Sequence, residues 1–92
     1  MNKYETIIII SDKIDTKERD NVIKKVKTFI KNNGEIEEIK EIGMRKLAYE
    51  VKKSKCGYYL DIFFKAESEK ISELERMYRY TDEILKFITI RI

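Results

Sequence analysis

The sequence has no histidine, no proline, one cysteine and three glycines among 92 residues. Without histidine, imidazole-based catalysis is excluded, and zinc loses its commonest nitrogen ligand. A lone thiol, Cys56, forms no intramolecular disulfide, which fits a reducing compartment. Cys56 reads as a small residue in a turn rather than as a nucleophile. There is no proline, Gly/Ser-rich linker or internal repeat to divide the chain, so one domain over 1–92 is expected. The run Ile7-Ile8-Ile9-Ile10 stops at Ser11-Asp12, far short of a bilayer span, and Met1 to Glu5 carries no signal-peptide core. Neither a membrane, a cofactor, a metal nor a small-molecule substrate is expected.

What the chain does have is charge. Charged residues make up 40% of it, against about a quarter in ordinary domains. The balance is 20 Lys+Arg to 17 Asp+Glu, a net +3. That balance permits nucleic-acid binding only where the cations cluster apart from the acids. Basic residues are dense at Arg45-Lys46, at Lys52-Lys53-Lys55 and at Arg76-Arg79, with Lys86 and Arg91 beyond. Acids are dense at Glu35, Glu37, Glu38 and Glu41, and from Glu67 to Glu75. The first acidic group has metal-like density, but its members alternate around an extended strand. It reads as a solvated face that repels RNA and so helps to orient it.

Residues 3–10 read as a strand too apolar for a sheet edge, hence central. Asp15 to Asn32 reads as a helix, with Asp15 and Glu18 in capping-box spacing. Its apolar stripe is Val22, Ile23, Val26, Phe29 and Ile30, and Gly34 suits a left-handed cap. Residues 35–52 are ambiguous, since Ile36, Ile39 and Ile42 recur at helical spacing. Gly43 and the β-rich Leu47-Ala48-Tyr49-Glu50-Val51 favour a long bulged strand. A turn over 53–57 and a strand over 58–66 complete a hairpin. Ser68 to Tyr80 reads as a helix capped by Ser68, with Ile71, Leu74, Met77 and Tyr78 as its buried stripe and Arg76 and Arg79 in its last turn. Leu85 to Ile92 is a final strand.

Strand, helix, strand, strand, helix, strand is an α+β order. Two crossovers of the same hand interleave into one antiparallel sheet of spatial order 4-1-3-2, both helices on one face. Along the third strand, Tyr58, Leu60, Ile62 and Phe64 should face the helices, and Tyr59, Asp61 and Phe63 the open side. Exposed Tyr59 and Phe63 would form an apolar patch that needs a partner. The Asp61 carboxylate between them argues against stacked RNA bases and for a protein.

Three stretches resemble the bacterial small-subunit ribosomal protein six family. They are Lys3-Tyr4-Glu5 opening an apolar strand; Gly43-Met44-Arg45-Lys46-Leu47-Ala48-Tyr49 followed by Gly57-Tyr58-Tyr59; and Tyr78-Arg79-Tyr80-Thr81-Asp82 leading into Ile84. Their spacing matches too, over essentially the whole chain. The resemblance implies a ferredoxin-like βαββαβ fold and a structural, non-enzymatic role in the small ribosomal subunit, ribosome-bound in the cytoplasm. It also implies binding to the central domain of small-subunit ribosomal RNA together with small-subunit ribosomal protein eighteen. The residues expected at the RNA are Lys3, Tyr4, Arg45, Lys46, Arg79, Tyr80, Lys86 and Arg91. Those expected at the partner protein are Tyr49, Tyr59 and Phe63. The chain departs from the family pattern at Glu50, where proline is frequent, and at Thr81 and Lys3, where arginine is frequent. Each arginine lost removes a fork-shaped phosphate donor. It also ends at Ile92, where relatives often continue into a polar tail.

Two other readings compete. A protein-interaction or regulatory module on the same fold would want a glycine-rich ligand loop, which three scattered glycines do not supply. An acylphosphatase-like enzyme would want an arginine-bearing phosphate loop after the first strand, where this chain has Ser11-Asp12-Lys13-Ile14-Asp15. Arg45 and Lys46, being adjacent, should point to opposite faces of their strand unless a bulge at Gly43 intervenes.

Overall fold

The computed structural model describes residues 1–92. Its elements are β1 (Asn2–Ser11), α1 (Thr16–Asn33), β2 (Gly34–Val51), β3 (Ser54–Ala66), α2 (Glu69–Arg79) and β4 (Ile84–Arg91). The four strands form one antiparallel sheet in the order β2-β3-β1-β4, the expected 4-1-3-2 read from the other edge. The fold is ferredoxin-like.

Alternation along β1 sets the two sides. Tyr4, Thr6, Ile8 and Ile10 are buried under the helices, while Glu5, Ile7 and Ile9 lie half-buried on the open face. Leu60, Ile62 and Phe64 of β3 join the core, as do Val22, Val26 and Ile30 of α1 and Leu74 and Tyr78 of α2. Each such side chain taken wholly out of water contributes about 1.5–3 kcal/mol before the entropy of ordering it. Polar ties fix the helices to this core. The Tyr78 hydroxyl lies 3.1 Å from Thr6 Oγ1, which lies 2.9 Å from Thr89 Oγ1. On α1, the Arg19 guanidinium covers the Tyr58 ring at 4.1 Å, and Tyr58 donates to Glu41 at 2.9 Å.

Asp15 caps α1 as expected, accepting from the Glu18 amide at 2.8 Å. Three local expectations are corrected. Gly34 does not take a left-handed cap; its φ of −178° is extended, and it opens β2 directly. Glycine is needed there for space, because a Cβ would lie 2.0 Å from the Lys65 carbonyl oxygen. Ser68 has helical angles and makes no side-chain cap bond, because capping needs an extended backbone at that position. The β2–β3 turn is Lys52-Lys53 rather than 53–57, with φ of 49° and 65° and Val51 paired to Ser54. Such a two-residue turn, with both φ positive, matches the twist of a hairpin and ordinarily carries Asn-Gly.

β2 is the long bulged strand foreseen, irregular at three places. Gly43, at φ +96°, follows the second of them. At the third, Leu47, Ala48, Tyr49 and Glu50 all fall between the Lys46↔Cys56 and Val51↔Ser54 pairs, opposite Lys55 alone. Beside this extra chain, Leu47 and Val51 line a pocket with Ile9, Tyr59 and Leu85.

Candidate nucleic-acid and partner interface

The open face is a grid fixed by strand register. One row runs Glu38, Phe63, Glu5, Ile90 across β2, β3, β1 and β4; the next runs Lys40, Asp61, Ile7, Ile88; the third runs Gly43, Tyr59, Ile9, Lys86. Ile88 and Ile90 are exposed, at 56% and 48%. Tyr59 and Phe63 are half-buried here, on the side expected of them, and Ile7, Ile9 and Ile88 extend the patch they begin. Tyr49, the third residue expected at a protein partner, projects from the bulge at 61% exposure, and Lys86 donates to its hydroxyl.

Cations gather around β4, an edge strand with one side unpaired. On the helix side, the end of α2 presents Arg79 at 5.9 Å from the Phe87 ring and Arg76 at 5.8 Å from the Tyr80 ring. Tyr80 is the most exposed aromatic, at 74%. On the open side stands Lys86, its ammonium 4.9 Å from the Tyr49 ring. From the hairpin tip, Lys52 donates to the Ile84 carbonyl at 3.4 Å. Arg76 and Lys52 were not among the expected contacts. Arg76 was absorbed by its place at a helix C-terminus, and only the true position of the turn brings Lys52 to β4.

The remaining expected residues are dispersed. Arg91 lies five positions beyond Lys86, about 17 Å along the strand, and donates to Asn2 Oδ1 at 2.8 Å. Lys3 is exposed and opposite Lys65 in register. Arg45 and Lys46 are exposed on β2, opposite Gly57 and Cys56 in register, and so alternate between faces. Tyr4 is not available for base stacking. It is 6% exposed, and its ring stacks on Phe64 with centroids 5.7 Å apart. Its place in the motif is that of a core anchor beneath Lys3 and Glu5. Thr81 is likewise structural: its hydroxyl donates to the Met77 carbonyl at 2.8 Å and accepts from Lys25 at 3.2 Å.

The sequence and the fold match a known family. A sequence profile described as ribosomal protein S6 matches residues 3–91. The chain belongs to the ribosomal protein S6 family. The small ribosomal subunit protein bS6 of Helicobacter hepaticus is 49% identical over 94 residues, spanning 99% of this chain and 67% of its own. The corresponding protein of Helicobacter acinonychis is 46% identical and covered over 65% of its length. That of Thermotoga petrophila is 40% identical and covered over 70%. The chain thus spans about two thirds of these relatives. The crystal structure of 30S ribosomal protein S6 from Thermotoga maritima superposes with a TM-score of 0.94 at 38% identity, covering 99% of this chain and 87% of that one. The S6 family is one of ribosomal structural proteins, not of enzymes. No group of three His, Cys, Asp or Glu side chains is placed to hold a metal, and no helix is long and apolar enough to cross a membrane.

Proposed function

We propose that this chain binds the central domain of small-subunit ribosomal RNA together with small-subunit ribosomal protein eighteen, as a structural and assembly component of the cytoplasmic ribosome. The observation that carries the reading is the bracketing of β4 by Arg76, Arg79 and Tyr80 on one side and Lys86 and Lys52 on the other. Guanidinium forks grip phosphate oxygens, ammonium groups add point charge, and the exposed Tyr80 ring offers a stacking plane to an unpaired base. Arg91 and Lys3 would extend the track along β1 and β4, and Arg45 and Lys46 would meet RNA from the β2 edge. Tyr49, Tyr59 and Phe63 would take the protein partner on the open face.

Four phosphate contacts give log affinity a slope of about −3.6 against log salt, or about 150-fold weakening for a fourfold rise in salt. With a net charge of only +3, the chain needs a more basic partner to hold RNA at physiological salt. Titrating a central-domain RNA fragment with the protein, alone and with protein eighteen, at two salt concentrations tests this. Tight, salt-sensitive binding only in the presence of the partner is expected. No binding in either case would end the reading.

A further inference from the structure

The open face carries a group that the RNA-binding reading does not use. Asp61 lies at its centre, 8% exposed, and its Oδ1 is buried without a hydrogen-bond donor. Its direct neighbours in register are Ile7 on β1 and Lys40 on β2. Diagonally across β1 is Glu5, and across β2 is Glu38. Lys40 does not neutralise it. That ammonium is within 4.0 Å of Glu38, lies 5.3 Å from the Phe63 ring, and makes no ion pair with Asp61. A carboxylate enclosed by apolar neighbours and beside a second carboxylate is costly unless a cation or a proton is supplied. Accordingly, burial first, then the neighbouring Glu5 carboxyl, push the Asp61 carboxyl up to about 6. Lys40 pulls the other way and Glu38 adds to the rise.

We infer that the Glu5–Asp61 pair is the receptor for an arginine or lysine side chain of the partner protein, whose flanking apolar residues cover Ile7, Phe63, Ile88 and Ile90. The inference deepens the reading that a protein covers this face. Charge complementarity selects the occupant: Glu5, Asp61 and Glu38 repel phosphate, whereas a guanidinium satisfies both carboxylates of the pair through its planar fork. The exposed isoleucines of β4 gain from an apolar cover that RNA does not provide. Below about pH 6 a cation arriving at the pair must displace the proton that Asp61 holds in the free protein. Affinity for the partner therefore rises with pH through about 6 and levels off above it.

The test measures binding of recombinant small-subunit ribosomal protein eighteen, without RNA, at pH 5.5 and 7.5. Wild type is compared with Asp61→Asn, Glu5→Gln and Lys40→Ala, each checked for folding by its thermal melt. The inference expects at least a tenfold loss for Asp61→Asn and Glu5→Gln at pH 7.5, little pH dependence left in Asp61→Asn, a pH dependence retained in Glu5→Gln because Asp61 still titrates there, and a few-fold gain for Lys40→Ala. Wild-type affinity that both neutral variants retain, with the wild-type pH dependence persisting in Asp61→Asn, would overturn the inference and leave the proposed function standing. Failure of the wild type to bind would overturn the partner assignment itself. An RNA fragment that cross-links to Phe63, or binds tighter to Asp61→Asn, would assign the face to RNA and overturn the inference as well.

Discussion

Asp61→Asn should make the free protein more stable at neutral pH. In the folded chain the carboxyl is pushed from 3.8 to about 6, so the native state holds its proton more tightly than the unfolded state does. Between those values the native state binds more protons, and stability falls as pH rises. The stabilising protonation is therefore fully present near pH 4 and gone above about pH 7. At 1.36 kcal/mol per decade, the ceiling on this loss is about 3 kcal/mol. Water on the open face screens the pair, leaving about 1–2 kcal/mol. Asparagine removes the charge at nearly the same size and shape. In urea unfolding at pH 7.5 the variant should gain that 1–2 kcal/mol, about 4–16 °C in Tm for a domain of this size. Near pH 4 wild type and variant should converge. Other carboxylates titrate over the same range, so the quantity to follow is the difference between the two proteins. Parallel curves from pH 4 to 8, or a variant less stable at pH 7.5, would refute the reasoning.

Backbone substitutions give two further tests. Gly34→Ala drives a methyl into the Lys65 carbonyl, where backbone must move, and should cost about 1–3 kcal/mol in denaturant unfolding; an unchanged midpoint would contradict the close approach. Replacing Lys52-Lys53 by Asn-Gly relieves two positive-φ lysines, and should raise stability by about 1 kcal/mol or more. A loss instead would mean that the lysine at the hairpin tip contributes more through its contact with Ile84 than its backbone costs.

The sequence was most informative where periodicity and chemistry agreed. The apolar stripe of α1, its Asp15 cap and the inward Leu60, Ile62 and Phe64 all appear where pattern alone puts them. It was least informative where a residue's role depends on distant chain. Gly34 looked like a helix terminator, yet what requires glycine is a carbonyl 31 positions away on β3. Lysines gave no turn signal, so the hairpin tip was placed too late, and with it went the approach of Lys52 to β4. Adjacent motif residues also part company. Lys3 faces solvent while Tyr4 fills the core, because strand alternation overrides proximity in sequence. Asp61 was legible as an outward carboxylate, but its enclosure and its pairing with Glu5 needed the register of β1 against β3.

The central claim is that cations bracketing β4 hold ribosomal RNA. Its most direct test is the salt dependence of RNA binding, in the presence of protein eighteen, for wild type and for Arg76→Ala/Arg79→Ala/Lys86→Ala. Each phosphate contact contributes about 0.9 to the log–log slope, so the triple variant should flatten it by about 2.7. A triple variant that binds with the wild-type affinity and slope would contradict the account and move the RNA surface away from β4.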